Sequence, residues 1–288
     1  MKFLAGYIMQ GRIQAMLVAS TLAVLSLIVP PISIVSSATV ALVTLRAGAL
    51  EGLLVLVSSC LAAAILGSIV INNFQFAAVY GVVLWLPVWL ISIVLREGRH
   101  LSLAVEISVL LGILGIIAFY QLNSEPADIW INILSKIKPL ADMQDKIPLY
   151  AHFTTGVVAA GTVFTLLFGL FLGRWWQALL YNPGGFSREY KALSTKPRMA
   201  IGSLLVILVA VYGNVGSETA WNIIVALFVF YAFIGTAVAH CILATKKRSR
   251  LYIGLLYGAL FLIPQAMLIT AVIGLIDPWL HFRNNISS

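Results

Sequence analysis

The chain has 288 residues, of which 61% are hydrophobic and only 10% charged, and its mean hydropathy is +1.02. Soluble domains average about 45–50% apolar and about 25% charged residues, so this composition excludes a soluble globular enzyme, a disordered tail and a fibrous repeat, and makes the bilayer the solvent of this chain. The net charge of +8 would suggest nucleic acid in a soluble protein, but here it reports orientation in the membrane.

Nine apolar stretches approach the roughly 20 residues that a helix needs to cross hydrocarbon: residues 13–29, 32–45, 49–71, 76–95, 101–121, 152–173, 199–212, 220–244 and 251–276. The first carries small residues at Gly11, Ala15, Ala19 and Ala23, one every helical turn, a face on which another helix can approach closely. The second and seventh are short, at 14 residues each, and call for tilting, shielding by protein or re-entry. Pro87 interrupts the fourth and Pro264 the ninth, each freeing a backbone carbonyl that lines a cavity or kinks the helix. Gly169 with Gly173, and Gly254 with Gly258, repeat the small-residue spacing in later spans.

Charge sets the expected topology. With a cytoplasmic N-terminus and nine crossings, 14 of the 18 Lys and Arg residues fall inside. Lys136, Lys138, Lys146 and Arg283 remain outside, with Glu125, Asp128, Asp142, Asp145, Glu218 and Asp277. Deleting the second crossing leaves 12 basic residues inside, and deleting the seventh leaves 11, so both short stretches are expected to cross. A secretory signal competes for residues 2–38, but the long apolar run, Pro30-Pro31 and the second apolar stretch directly after them favour an uncleaved span.

Two connections are long enough to carry structure. In the outer loop, 122–150, Ile129, Trp130, Ile133, Leu134 and Ile137 share one helical face while Asp128, Asn132, Ser135 and Lys136 take others, which predicts a helix lying on the membrane surface or over the mouth of the bundle. In the cytoplasmic loop, 174–198, Trp175, Trp176 and Tyr181 suit the headgroup layer. Asn182-Pro183-Gly184-Gly185 must turn, and Ser187 can cap a short helix after it. This loop lacks the Gly-Lys-Ser/Thr ending and the preceding strand of a phosphate-binding loop, and reads as an interfacial elbow. The basic tract Lys246, Lys247, Arg248 and Arg250 reads as an orientation signal that meets lipid headgroups.

Groups able to do chemistry are sparse. Glu106 is the acid well inside a span, where an ionisable residue is a functional candidate or reaches the interface beside Arg99 or His100. Arg46 and Glu51 bracket the bend at Gly48 and Gly52, where an ion pair would pin the hairpin. The four histidines show no metal-ligand spacing. Cys60 and Cys241 suggest neither disulfide nor zinc, and no nucleophile elbow is present. No catalytic residue, metal or cofactor is expected, and the chain is not read as an enzyme.

In the segment Arg174-Trp-Trp-Gln through Tyr181-Asn-Pro-Gly-Gly-Phe186, and in its span count, the chain resembles the YybS-like family of uncharacterised bacterial inner-membrane proteins. Members of that family look distantly similar to the S components of energy-coupling-factor vitamin transporters, subunits that bind a small molecule and dock on a helical coupling protein through an alanine-x-x-x-alanine face of their first span. Ala15, Ala19 and Ala23 match that face; the number of spans departs from it, since typical S components have fewer. The expectation is therefore an all-α polytopic helix bundle, residues 1–288 forming one integral domain of a bacterial inner membrane. Its expected function is a small-solute binding or transport subunit in which Ala15, Ala19 and Ala23 dock a partner, Glu106 and Arg46 contact solute, and the elbow meets a coupling-protein/ATPase complex or another membrane subunit. Membrane lipid is an expected partner and nucleic acid is not. The alternative is a non-transporting scaffold that recruits envelope or division proteins through its bundle surface and its cytoplasmic loop, whose motif comprises Arg174, Trp175, Trp176, Asn182, Pro183, Gly184 and Gly185.

Overall fold

The computed structural model describes residues 1–137, 144–214, 216–246 and 249–283, and among them every regular element is a helix. Lys138, Asp142, Lys247 and Arg248, which enter the charge map, lie outside the described residues. In chain order the elements are α1 (Lys2–Ile8), α2 (Arg12–Leu25), α3 (Ile32–Ala47), α4 (Ala49–Ile71), α5 (Gln75–Tyr80), a π-helical turn (Gly81–Trp85), α6 (Leu86–Gly98), α7 (Leu101–Leu122) and α8 (Pro126–Leu134). They continue with α9 (Ile147–Tyr181), α10 (Gly185–Lys191), α11 (Pro197–Tyr212), α12 (Ser217–Ala244), α13 (Ser249–Leu262) and α14 (Pro264–Leu280). Among the described residues five helices are long and apolar enough to cross a membrane, or up to seven if each of two bent pairs is one span. The chain divides into two compact units, Met1–Ser108 with Phe164–Tyr190 and Val109–Val163 with Lys191–Ser288, so α7 and α9 contribute to both.

In the first unit the short α3 is the centre. Its 16 residues rise about 24 Å, less than the roughly 30 Å of hydrocarbon, and the stretch from Ser36 to Leu45 is buried throughout. Protein, not lipid, is its surround. Small residues let neighbours come close: Cβ atoms built on Gly169 and Gly173 of α9 would lie 2.8 Å from Ser37 Cβ and 2.7 Å from Ala41 Cβ, so this glycine pair is an internal packing face. Between helices in lipid, van der Waals fit and hydrogen bonds supply the association. Both are present here: the buried Trp85 indole donates to Ser36 Oγ at 3.2 Å, and Ser36 Oγ donates to the Ala19 carbonyl at 2.7 Å.

Proline explains two irregularities. Pro87 has no N–H to offer the preceding turn and its ring crowds it, and the π-helical turn Gly81–Trp85 sits directly before it, which takes up that mismatch within the Gln75–Gly98 run. Pro264 ends α13 at Ile263, which is extended (φ −124°, ψ 97°), and starts α14 at an angle of 113°. The ninth apolar stretch is thus two helices. α1 and α2 are bent by 120° at Met9-Gln10-Gly11, a break without proline.

The second unit is built on α12, 72% of whose most apolar window is buried. α14 packs along it at Gly235 and Gly274: a Cβ on Gly235 would run into the Thr270 carbonyl, and one on Gly274 into the Tyr231 carbonyl. Gly254 and Gly258, which show the same spacing in sequence, have nothing within 4 Å of a built Cβ. Near the start of α12, the fully buried Asn222 places the two N–H donors of Nδ2 within hydrogen-bond distance of the carbonyls of His152 (2.7 Å) and Glu218 (2.9 Å) and of Tyr120 Oη (3.0 Å), while its Oδ1 accepts the Gly156 N–H. Helix α8 is held by Trp130 Nε1, which donates to Thr155 Oγ1 at 2.8 Å.

One contact corrects the charge map. That map puts Lys191 inside and Arg283 outside, yet the Arg283 guanidinium donates to the carbonyls of Lys191 (3.0 Å) and Leu193, and Asp277 accepts from it at 3.3 Å. Groups in hydrogen-bond contact lie at one face of a bilayer, so Arg283 and Lys191 share a face.

Candidate functional site

Helix ends leave carbonyls without intrahelical partners, and the first unit satisfies those of α3 with side chains from two other helices. Arg96 Nη1 donates to the carbonyls of Leu45 (2.9 Å) and Thr44 (3.4 Å), and Gln177 Nε2 donates to the Leu45 carbonyl at 3.0 Å. Gly48, at φ +114°, turns the chain there, with the Arg96 guanidinium 3.7 Å from where its Cβ would be. Cations beside a helix C-terminus also complement its dipole.

These contacts gather basic residues around a cleft of about 360 Å³ lined by Leu45, Arg46, Leu95, Arg96, Arg99, Arg174, Gln177, Tyr181, Asn182 and Glu189. Four guanidinium groups face one carboxylate. That carboxylate is committed: Arg174 donates from Nε to Glu189 Oε2 at 2.9 Å and from Nη2 to Glu189 Oε1, and from Nη1 to Gln177 Oε1 at 2.9 Å. Arg46 stacks on Tyr181, its Cζ 4.2 Å from the ring centroid, a cation–π contact of about 0.5–1 kcal/mol at an exposed site. Arg99 closes α6 in the left-handed region at φ 55°. Among the described residues neither Arg46 nor Arg99 forms an ion pair with a carboxylate, so two positive charges stand open on the cleft. A planar fork of five N–H donors suits phosphate and carboxylate oxygens, and the volume lies in the small-molecule range of about 300–1,000 Å³. The arrangement can bind and orient an oxyanion.

The cytoplasmic loop of the sequence begins inside a helix. No breaker occurs before Asn182-Pro183-Gly184, so α9 continues through Arg174 to Tyr181, with Trp176 buried in the core and Trp175 exposed. The turn follows: the Gly185 N–H donates to the Asn182 carbonyl at 3.0 Å, Gly184 takes φ +81°, and a Cβ on Gly185 would lie 2.5 Å from Asn182 Nδ2. Of the residues singled out from sequence, Arg46, Arg174 and Asn182 line the cleft together. Trp175, Trp176, Pro183, Gly184 and Gly185 are not among its lining residues, and neither is Glu106, which is half-buried on the second turn of α7. Arg96, Arg99, Gln177 and Glu189 were missed as a site because they come from three separate places in the chain, the end of α6, α9 and α10; the signal present was only that basic residues cluster at span ends.

Two other expectations change. Glu51 pairs not with Arg46 but with Arg12, which donates from Nε at 2.7 Å and Nη2 at 2.6 Å, because Arg46 is drawn to Tyr181. Ala15, Ala19 and Ala23 have no exposed surface at all; Ala15 lies in a cluster with Ala38, Leu42, Val55 and Trp176. The alanine face is taken up by this chain's own helices, which leaves none of it open to a partner helix.

In the second unit Glu218 Oε1 accepts from Tyr120 Oη at 2.9 Å and meets His152 Nδ1 at 3.2 Å. With Asn222 this polar group ties α7, α9 and α12. Among the described residues no cluster of three or more His, Cys, Asp and Glu side chains is placed to hold a metal. No family model matches the chain, and neither the curated proteins nor the solved structures yield a match.

Proposed function

We propose that this chain is a multi-pass protein of a bacterial cytoplasmic membrane that binds a small anionic solute in the arginine-lined cleft and serves as the membrane-embedded binding or transport subunit of a larger system, energised by a separate ATPase complex. The observation that carries this reading is the cleft itself, with four guanidinium groups against one carboxylate. In this reading the cleft opens to the cytoplasm, where Lys and Arg collect, and the elbow 182–191 is the part nearest the coupling machinery.

The topology in this reading has the N-terminus inside and eight full crossings, with α13 and α14 entering and leaving at the same face. The 113° bend at Ile263 and the Arg283 contacts to Lys191 and Leu193 support it. Counting Arg283 as inside also sharpens the charge asymmetry to 15 of 18 basic residues. Single cysteines placed at Ser135 and Ser187 in a background lacking Cys60 and Cys241 are expected to label from opposite faces, and one at His281 from the same face as Ser187. Labelling of His281→Cys with Ser135→Cys would restore a ninth crossing.

The binding claim is tested on full-length protein in detergent with inorganic diphosphate as probe. Arg46→Ala combined with Arg99→Ala should weaken binding at least about tenfold, since each exposed charge pair within about 4 Å is worth about 1 kcal/mol or more, while Lys136→Ala leaves it unchanged. Absence of binding by the unaltered protein, across phosphorylated and carboxylated anions alike, removes the solute reading.

A further inference from the structure

We propose that Glu189 is a built-in competitor for the cleft: its carboxylate occupies Arg174 in place of the ligand's anionic group, and an entering oxyanion takes over Arg174 and releases α10. This rests on the anion-binding reading of the cleft and adds how the site reports that it is filled.

The pair is placed as a ligand would be. Arg174 has only 12% of its side chain exposed and Glu189 29%, and the carboxylate takes two guanidinium donors side by side, the geometry that Arg uses for external carboxylates and phosphates. Arg174 is also held from behind by Gln177 Oε1 at 2.9 Å, and Gln177 is itself anchored to the Leu45 carbonyl. The guanidinium is therefore fixed by groups other than Glu189 and keeps its position when that carboxylate leaves. Arg46 and Arg99, open on the same cleft, supply the extra attraction by which a multiply charged anion outcompetes a single carboxylate.

The competitor sits on a short element anchored at its far end, where the Lys191 carbonyl accepts from Arg283 at 3.0 Å. α10 is seven residues long, too short to persist as an isolated helix, and joins α9 through the turn whose Gly184 takes φ +81°. Its apolar seat consists of Phe186 and Tyr190, each with its ring centroid 5.8 Å from that of Phe171. Loss of the Arg174 pair removes the charged contact of α10 with α9 while its C-terminal end stays tied through the Lys191 carbonyl to Arg283, so the elbow opens from the turn at 182–185 toward the aqueous side. A ligand shifts such an equilibrium by its differential affinity for the two states, so anything that loosens α10 must also tighten the anion.

That reciprocity gives the test. Inorganic diphosphate is titrated into full-length protein in detergent, with tryptic cleavage after Arg188 as the readout of α10. For the unaltered protein, diphosphate should speed cleavage. Glu189→Gln should cleave fast without any anion and bind diphosphate about tenfold tighter, the scale expected from removing one like charge a few Å away. Phe186→Ala, which leaves every charge in place, should likewise tighten binding and speed cleavage; it separates release of α10 from a simple change of charge and stands in if Glu189→Gln fails to fold. Equal affinity in all three proteins, with cleavage unaffected by diphosphate, overturns the competitor role and leaves the anion site standing. No diphosphate binding by any of them, together with cleavage that is indifferent to phosphatidylglycerol, overturns both. Nanodiscs of phosphatidylcholine with or without phosphatidylglycerol separate the two sources of oxyanion. Faster cleavage with phosphatidylglycerol alone identifies a lipid headgroup as the occupant, and a response to diphosphate in both membranes identifies a soluble one; either supports the release of α10.

Discussion

Gly235→Leu is expected to destroy the packing of α12 on α14, at a cost on the order of 3 kcal/mol or more. The Cβ of any side chain at Gly235 falls on the Thr270 carbonyl and 2.8 Å from the Gly274 nitrogen. These are backbone atoms of a regular helix, so relief requires the two axes to separate rather than a rotamer to change. Separation forfeits the contacts of Thr270, Ala271, Gly274, Asp277 and Pro278, the buried face of α14, and in lipid no hydrophobic effect drives the helices back together. Thermal unfolding in detergent, followed by size-exclusion elution, measures this. Gly254→Leu is the control, because nothing lies within 4 Å of its Cβ, and should change stability by no more than about 0.5 kcal/mol. A Gly235→Leu protein that elutes and melts like the unaltered one would show that this helix pair does not form.

The second large effect is at Asn222. Its carboxamide is fully buried and hydrogen-bonded at both ends, taking the Gly156 N–H and giving to the His152 carbonyl, the two groups that close one turn of α9. Asn222→Leu removes all of these and strands Tyr120 Oη and Glu218 in a changed setting. Leaving buried polar groups unsatisfied costs about 1–3 kcal/mol, and the bulk of leucine against Gly156 adds strain. Gly156→Ala attacks the same contact from the other side, since its Cβ would lie 2.7 Å from the Asn222 carbonyl oxygen and 2.8 Å from Asn222 Cα. The two substitutions touch one contact, so the double variant should lose less stability than the two single losses combined. Additive losses in a double-mutant cycle would refute the shared contact.

Much of the molecule was legible before the fold was seen. Nine apolar stretches mark where helices run, because desolvated backbone in a bilayer must bond within its own segment. The breakers act locally: Pro264 splits the last stretch, and Asn182-Pro183-Gly184 ends α9. The shortness of α3 and α11 was visible too, and burial of α3 by its neighbours is one of the solutions that shortness allows. The clustering of Arg residues at span ends followed from charge, while Arg46 was marked by the bend at Gly48, and Arg174 and Asn182 by the loop motif.

What sequence left open is which surface meets which. Gly169 with Gly173 and Gly254 with Gly258 carry the same four-residue spacing, yet the first pair lies against Ser37, Ala38 and Ala41 and the second against nothing within 4 Å. Ala15, Ala19 and Ala23 form a smooth face in either setting, and only the packing of α2 shows that the chain fills it itself. Arg12, not Arg46, reaches Glu51, and Arg283 reaches Lys191 across 92 positions. Periodicity, breakers and charge are properties of a segment and are written in it. A cleft, an ion pair or a helix crossing is a property of two segments, and its energy exists only when distant stretches have been brought to contact distance.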